Sequence, residues 1–404
     1  GYLNLWFAKI YNEPSYTWYH KYYMEQNPHS ANIYDLLYYD PSLYQGETPV
    51  QLDKQYDAQS IITMRHDFTD PDSSFLGFKG GYNGAPHGDL DIGSFVYDVD
   101  GERWALDFGK ENYNLPGYWD MNQEGLRWQY YRKNALGHNT LVIHPENGAN
   151  QSLQVKSNVI ESQLNEQNGG YGILDMSDAY QKYAVDVKRG FAYFHRNEVL
   201  IRDEFTLKHK DDIYWQMHTD ADVTIAEDGQ SVILSKNGKQ VKLMLIDEQH
   251  LGQRFEVMDA KAYPGITTAP NQSENTGVHK LFIHSIAKKG TFNVWIMPLN
   301  QDNQDMPEIL PLSKWHQYDF KGTKKPDATP DDESNTPVVK PDHPDTTPDA
   351  NTPSDTINTN HSQQNIHNKV DTSDHTHIDR IVLLFSASVV LLGYILYRKK
   401  AMKK

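Results

Sequence analysis

Apolar residues near the start of the chain recur at three- and four-residue spacing. Leu3, Trp6, Phe7, Ile10 and Tyr11 fall on one helical stripe, Pro14 and Ser15 interrupt it, and Tyr16–Met24 and Ala31–Leu37 resume it. From about Gln51 the period changes to two. The pattern predicts strands at Ser60–Met64, Ser74–Phe78, Ser94–Val99, Trp104–Asp107, Asn139–Ile143, Gln154–Glu161, Gly172–Asp175 and Lys188–His195. It continues through Glu198–Asp203, Ile213–His218, Ser231–Leu234, Val241–Ile246, Lys280–Ser285 and Thr291–Met297. Gly, Asp, Asn or Pro separates most of these segments, and Asp98-Val-Asp-Gly101 and Lys236-Asn-Gly238 are expected hairpin turns. Many short strands at close spacing predict a mainly β chain built as an antiparallel sandwich.

The expected organisation is four segments. Residues 1–48 are short helices with more large apolar residues than they can bury alone, the end of a larger helical domain. Residues 49–321 are the sandwich. Residues 322–378, dominated by Lys, Pro, Asp, Thr, Asn and Ser, cannot bury enough surface to fold and form a solvated stalk. Residues 379–404 contain the apolar run Ile381–Tyr397 followed by Arg398, Lys399 and Lys400, the pattern of a single membrane span with a basic cytoplasmic end. That order places the globular part outside the cell. It is similar to the anchor of a Gram-positive surface protein, although no Leu-Pro-x-Thr-Gly signal precedes the span.

Composition narrows the chemistry. With no Cys among 404 residues, thiolate metal sites, disulfides and a Cys nucleophile are excluded, leaving His, Asp and Glu as strong metal ligands. A formal net charge of -16 with no basic stripe outside the extreme C-terminus argues against nucleic acid as a partner. The 26 Tyr and 8 Trp suit a sugar-stacking surface and are equally ordinary strand residues.

One stretch concentrates the candidate chemistry. Pro86-His-Gly-Asp-Leu-Asp-Ile-Gly-Ser-Phe95 follows a Gly-rich run, and if it is extended, His87, Asp89 and Asp91 share one face. An imidazole with two carboxylates forms a metal site, an acid/base site, or both. The same residues also suit an Asp-rich turn that caps a strand, with a hydrogen-bonded His. His144, His195 and His218 end or flank apolar strands and are expected to serve packing.

Further along lie Leu106-Asp-Phe-Gly109, the aromatic loop Asn112-Tyr-Asn-Leu-Pro-Gly-Tyr118, and Tyr131-Arg-Lys-Asn-Ala-Leu-Gly-His-Asn-Thr140. With His-x-Asp-x-Asp-x-Gly-Ser-Phe before them, and Lys188-Arg-Gly190 and Ile201-Arg-Asp-Glu204 after, this order resembles the β-sandwich domain of the heparinase II/III family of polysaccharide lyases, over roughly residues 50–300. The resemblance implies that the sandwich follows the end of an α/α toroid. It implies that His87 lies in the active cleft, and that a catalytic Tyr with a helper Asn or His belongs to the helical domain upstream of Gly1. It also implies one structural divalent metal. The family's His-x-His-x-Asp pattern has Asp89 here at its second His, so the implied ligands are Asp89, Asp107 and His138, with zinc the first choice and calcium or manganese the alternatives. Asn139 is expected to support the ligands and Asp91 to orient His87 or shape the turn. Tyr113 and Tyr118 are candidates for sugar stacking or loop filling. Arg132 is a candidate clamp on a substrate carboxylate or a partner in a structural salt bridge.

The activity implied is β-elimination on an anionic, uronic-acid-containing polysaccharide or oligosaccharide, heparin, heparan sulfate or a related glycosaminoglycan, at the cell surface. Such chemistry needs a base at C5, an acid for the departing oxygen and neutralisation of the adjoining carboxylate. An imidazole, with an ordinary pKa of about 6.5, can be base or charged stabiliser. The alternatives are a non-catalytic glycan-binding adhesin, an alginate-type lyase and a metal-dependent hydrolase.

Overall fold

A computed structural model describes residues 1–44, 51–299 and 306–321. The expected stalk and membrane span lie outside the described residues. Among those described, no helix is long and apolar enough to cross a membrane.

The helices α1 (Tyr2–Tyr11), α2 (Thr17–Gln26) and α3 (Ile33–Tyr38) come first. Asn12 ends α1 in a left-handed conformation at φ 50°, and α3 opens with a capping box between Asn32 and Asp35. Buried His20 bonds Asp35 at 3.0 Å and the Tyr44 hydroxyl at 3.2 Å, tying the helices together. Trp18 meets Phe68 edge-on at 5.9 Å. Leu3, Trp6, Phe7, Ile10, Leu36 and Leu37 remain exposed.

Sixteen strands follow among the described residues. They are β1 (Lys54–Tyr56), β2 (Ile61–Arg65), β3 (Phe75–Lys79), β4 (Gly81–Tyr82), β5 (Phe95–Val99), β6 (Glu102–Ala105), β7 (Leu141–Ile143) and β8 (Lys156–Glu166). The rest are β9 (Gly169–Asp175), β10 (Ala184–Phe194), β11 (Glu198–Thr219), β12 (Asp222–Ile225), β13 (Ser231–Lys236), β14 (Lys239–Leu245), β15 (Phe255–Asp259) and β16 (His279–Pro298). A five-stranded sheet runs β1-β2-β3-β5-β6 and an eleven-stranded one runs β12-β13-β14-β16-β11-β10-β9-β8-β4, with β7 on β11 and β15 on β16. The strands pair antiparallel, so the expected mainly β, antiparallel architecture is present.

The core lies between the sheets. Alternate residues of β2 (Ile62, Met64) and β5 (Phe95, Tyr97, Val99) are buried against Phe191, Val199, Ile201 and Trp215 of the large sheet. Phe78 stacks on Phe191 at 4.3 Å. A Cβ at Gly172 would lie 2.6 Å from Ile62 Cδ1 and 2.8 Å from Phe78 Cζ, so the sheets close at that point only over glycine. On the opposite face of the large sheet, Tyr171, Phe194 and Trp295 are covered by Leu312, Trp315 and Phe320. All described residues fall within one unit, Gly1–Ala328.

Two connections cross between the sheets and carry the candidate site residues. Residues 83–94 run from β4, on the edge of the large sheet, to β5 of the small one. Residues 106–140 run from β6 of the small sheet to β7, which pairs with β11 of the large one.

Candidate functional site

The 83–94 connection turns at His87, so of the two readings open for His87–Asp91 the fully extended one does not hold. The Gly88 amide bonds the Ala85 carbonyl at 2.8 Å, and His87 sits at φ 62°. From Asp89 onward alternation does hold, with Leu90 and Ile92 fully buried and Asp89 and Asp91 half-buried between them. His87 is swung off that face by its left-handed backbone. Gly93, at φ 87°, closes the turn where a Cβ would meet Met176 Sδ at 2.4 Å.

His87 is exposed, and its ring is framed by two exposed aromatics of the 106–140 connection. Trp119 stands edge-on to it at 5.0 Å and 88°, and Tyr113 is tilted against it at 5.8 Å. Tyr113 and Trp119 also touch each other at 5.4 Å. Beside Tyr113 opens a cavity of about 600 Å³ whose lining includes Lys110, Tyr113 and Arg132 together with Glu111, whose carboxylate is bonded to Ser273.

Two of the candidate sugar-contacting residues lie in the same neighbourhood but are engaged within the protein. Tyr118 is 2% exposed and lies under the Arg127 guanidinium, 4.4 Å from the ring centre, so it fills the loop and cannot stack on a sugar. Arg132 spends its donors on the Asn275 side-chain oxygen at 2.9 Å and the carbonyls of Glu274 at 2.9 Å and Lys110 at 3.3 Å. It laces two loops together, which is neither the expected clamp nor a salt bridge.

Beneath His87 lies a layer of charge. Asp89 accepts from Arg127 Nη2 at 3.1 Å and from Lys133 Nζ at 2.9 Å, and both cations are buried. Arg127 also donates to the Gly88 carbonyl at 2.8 Å and the Tyr118 carbonyl at 2.8 Å. It thereby fixes the residue after His87 and the residue before Trp119 from one planar fork. Lys133 Nζ reaches the Gly109 carbonyl at 3.4 Å. Asp91 pairs with Lys79 at 2.7 Å, so it shapes the turn without touching His87.

Asp107 and His138 meet directly, with His138 Nδ1 2.7 Å from Oδ2. Burial disfavours the imidazolium, but the Asp107 charge and hydrogen bond outweigh it, with Asp91 and Asp89 adding, and the His138 pKa is raised to about 9. Burial likewise opposes the Asp107 carboxylate, yet His138 and the Gly109 amide hold its pKa well below the usual carboxylate range. His138 is therefore the donor in this contact.

Behind these, Asn139 donates to the Phe95 and Leu106 carbonyls at 2.8 and 2.9 Å and accepts from the His218 amide at 2.7 Å. It joins the sheets and makes no contact with the implied ligands. His218 is fully buried. Burial, with the nearby Lys280 and His138 charges, pushes its pKa well down, so the neutral ring donates from Nδ1 to Asn139 and accepts from the Tyr131 hydroxyl at 2.6 Å. His144 and His195 pair with Asp211 and Glu198 at 2.8 and 3.1 Å. Deepest of all, Arg189 and Asp203 are both wholly buried and bonded twice, at 2.7 and 3.0 Å. The remaining Arg189 nitrogen donates to the Gly93 and Asn139 carbonyls, each at 2.9 Å, pinning both site-bearing loops to the large sheet.

The three side chains implied as metal ligands are in one neighbourhood but do not fit a shared divalent cation. Asp89 is held by two cations, and Asp107 is bonded to the ring nitrogen of His138. His138 Nε2 is buried without a partner, as is Arg127 Nε in the same layer. Among the described residues no group of three His, Asp or Glu side chains is arranged to hold a metal ion.

Trp119, Arg127 and Lys133 are not singled out by sequence reasoning. The available signal is the run Arg127-Trp-Gln-Tyr-Tyr-Arg-Lys133, in which cations are interleaved with aromatic residues that bury them.

Comparison with known proteins agrees with this architecture. No curated protein sequence matches the chain. Heparan sulfate lyase HepC from Pedobacter heparinus superposes with a TM-score of 0.52 at 14% identity, covering 72% of this chain and 42% of that one. The heparinase III that is the BT4657 gene product superposes with a TM-score of 0.50 at 15% identity, covering 69% of this chain and 41% of that one. At those identities the likeness is one of fold, and the chain spans about two fifths of the length of the solved structures it matches. The profile of the family described as "Heparinase II/III-like, C-terminal" matches residues 60–294, more than half the chain. By its sequence pattern and its antiparallel sheets alike, the chain belongs to the heparinase II/III-like C-terminal family.

Proposed function

We propose that the chain is the sandwich portion of a polysaccharide lyase that cleaves a uronic-acid-containing glycan by β-elimination, with His87 in the cleft. The observation that carries this reading is the exposed His87 imidazole, presented on a left-handed turn between exposed Tyr113 and Trp119. Aromatic faces beside an acid/base group suit a sugar ring, whose C–H face packs on them while its hydroxyls stay wet. Lys110, exposed on the wall of the adjoining cavity, supplies positive charge for an anionic chain.

In the reaction a base removes the proton at C5 and the C5–H electron pair becomes the C4=C5 double bond. The C4–O bond breaks, and an acid protonates the departing oxygen. Charge builds on the uronate carboxylate as C5 loses its proton, so a cation or hydrogen-bond donor near it lowers the barrier. His87 is free to act at C5 or on that carboxylate because its ring is not buried in an ion pair. The catalytic Tyr of the implied mechanism belongs to the helical domain. Tethering outside the cell by residues 379–404 is part of the same proposal and rests on the sequence pattern alone.

The test is incubation of the whole protein with heparan sulfate, hyaluronan and alginate while ultraviolet absorbance of an unsaturated uronate is followed. The reading predicts that chromophore with a glycosaminoglycan. New reducing ends without the chromophore would establish hydrolysis instead, and saturable binding with neither product would establish an adhesin.

A further inference from the structure

The charge layer under His87 occupies the place where a metal ion could act. Asp89 lies in the 83–94 connection, Asp107 and Gly109 open the 106–140 connection, and Arg127, Lys133 and His138 lie further along it. Lys133 Nζ bridges the Asp89 carboxylate and the Gly109 carbonyl, Arg127 bridges Asp89 to the Gly88 and Tyr118 carbonyls, and His138 closes on Asp107. We propose that Lys133, flanked by Arg127, is an internal cation that straps the two loops in place of a divalent metal, and that the protein folds and holds His87 without a metal ion.

Three observations carry the inference. A divalent ion ligated by Asp89 would sit against an ammonium 2.9 Å from Oδ2 and a guanidinium 3.1 Å from Oδ1. Both cations are nearly sealed from water, at 0% and 3% side-chain exposure, so repulsion from a further double charge is weakly screened. The two carboxylates, Asp89 and Asp107, are already balanced by the two buried cations Arg127 and Lys133, and a divalent ion would leave positive charge in excess. The substitution is also coherent. With a carboxylate at position 89, a buried lysine supplies the charge that a carboxylate needs, and its flexible stem reaches both loops.

The test uses the whole protein and does not depend on activity. After dialysis against EDTA and then metal-free buffer, zinc, calcium and manganese are quantified and thermal melting is compared with the undialysed protein and with protein given excess Zn²⁺. The expected result is well under one metal ion per chain and a Tm unchanged to within about 1 °C. Lys133→Met and Asp89→Asn are each expected to lower Tm by about 5 °C or more, because the first strips one of the two cations from Asp89 and unties the Gly109 carbonyl, and the second leaves two buried cations without their carboxylate. Roughly one ion per chain before dialysis, with a Tm that falls on chelation and returns with Zn²⁺, would overturn the proposal. So would a Lys133→Met protein that melts like wild type. If that variant does not fold, the wild-type chelation result decides alone.

Discussion

His87 and Asp89 are separated by one residue, yet they belong to different physical worlds. His87 is exposed among the edges of Tyr113 and Trp119, with room for a partner molecule. Asp89 faces inward to Arg127 and Lys133, with one cation bonded to each carboxylate oxygen. The left-handed backbone at His87 makes the division, turning one side chain out while Leu90 and Ile92 anchor the following residues in the core. What the contrast teaches is a separation of labour. The upper layer can be altered with little effect on folding, because it buries little. The lower layer holds the loops in register, so disturbing it is first a matter of stability.

The sharpest way to break the contrast is at its foundation. Arg189→Leu leaves the Asp203 carboxylate buried and unpaired and frees the Gly93 and Asn139 carbonyls. Loss of about 3–5 kcal/mol is expected in denaturant unfolding, and a loss below about 1 kcal/mol would mean the pair does not support the loops. Next come two aromatic residues that neighbour one another in sequence. Tyr118→Ala should cost about 2–4 kcal/mol because that ring is buried under Arg127, whereas Trp119→Ala should leave unfolding within about 0.5 kcal/mol of wild type.

The Asp107–His138 pair gives a pH signature of intermediate size. A base whose folded pKa is raised contributes stability that is full below its unfolded value and disappears as pH rises through the folded value. With His138 raised to about 9, stability should fall between about pH 6.5 and pH 9, by at most about 3 kcal/mol. Asp107 has the opposite sense. Its lowered pKa contributes stability above the usual carboxylate pKa of about 3.9, and this is lost as the solution becomes more acidic. Melting curves across pH should show both flanks flattened in His138→Asn, and an unaltered pH profile in that variant would contradict the pairing. The smallest effect is expected on binding. Trp119→Ala should weaken glycan affinity about 10-fold by calorimetry, the worth of one stacking face.

Much of this fold is legible from period and punctuation. The Asp100-Gly101 and Asn237-Gly238 turns carry the positive φ values that two-residue hairpins require. Helical spacing finds α1, α2 and α3 to within a residue or two. Periodicity divides each of the two longest strands into two, and in β11 the polar run Lys208-His-Lys-Asp-Asp212 falls at a register shift between Thr206 and Asp211. Strands β1, β4, β12 and β15 escape the pattern. They are short, with few buried residues to announce a period.

The site is legible as a neighbourhood and not as a geometry. Alternation at Asp89–Ile92 is real, but nothing local to His87 marks a left-handed residue at that position. Tyr118 and Trp119 are both aromatic and consecutive, and which one is buried depends on Arg127, nine residues beyond Tyr118. Nothing in the sequence marks Arg127 and Lys133 as buried, because burial of a charge is set by its partner, and the family resemblance assigns that partner, Asp89, to a metal.

The central claim is that His87 does chemistry while the layer beneath only holds it. Its most direct test is the rate of unsaturated-uronate formation by wild type and His87→Ala, with a melting curve for each. The account predicts a loss of at least about 100-fold in rate with Tm unchanged to within about 1 °C. Elimination that continues at the wild-type rate in a folded His87→Ala protein would contradict it.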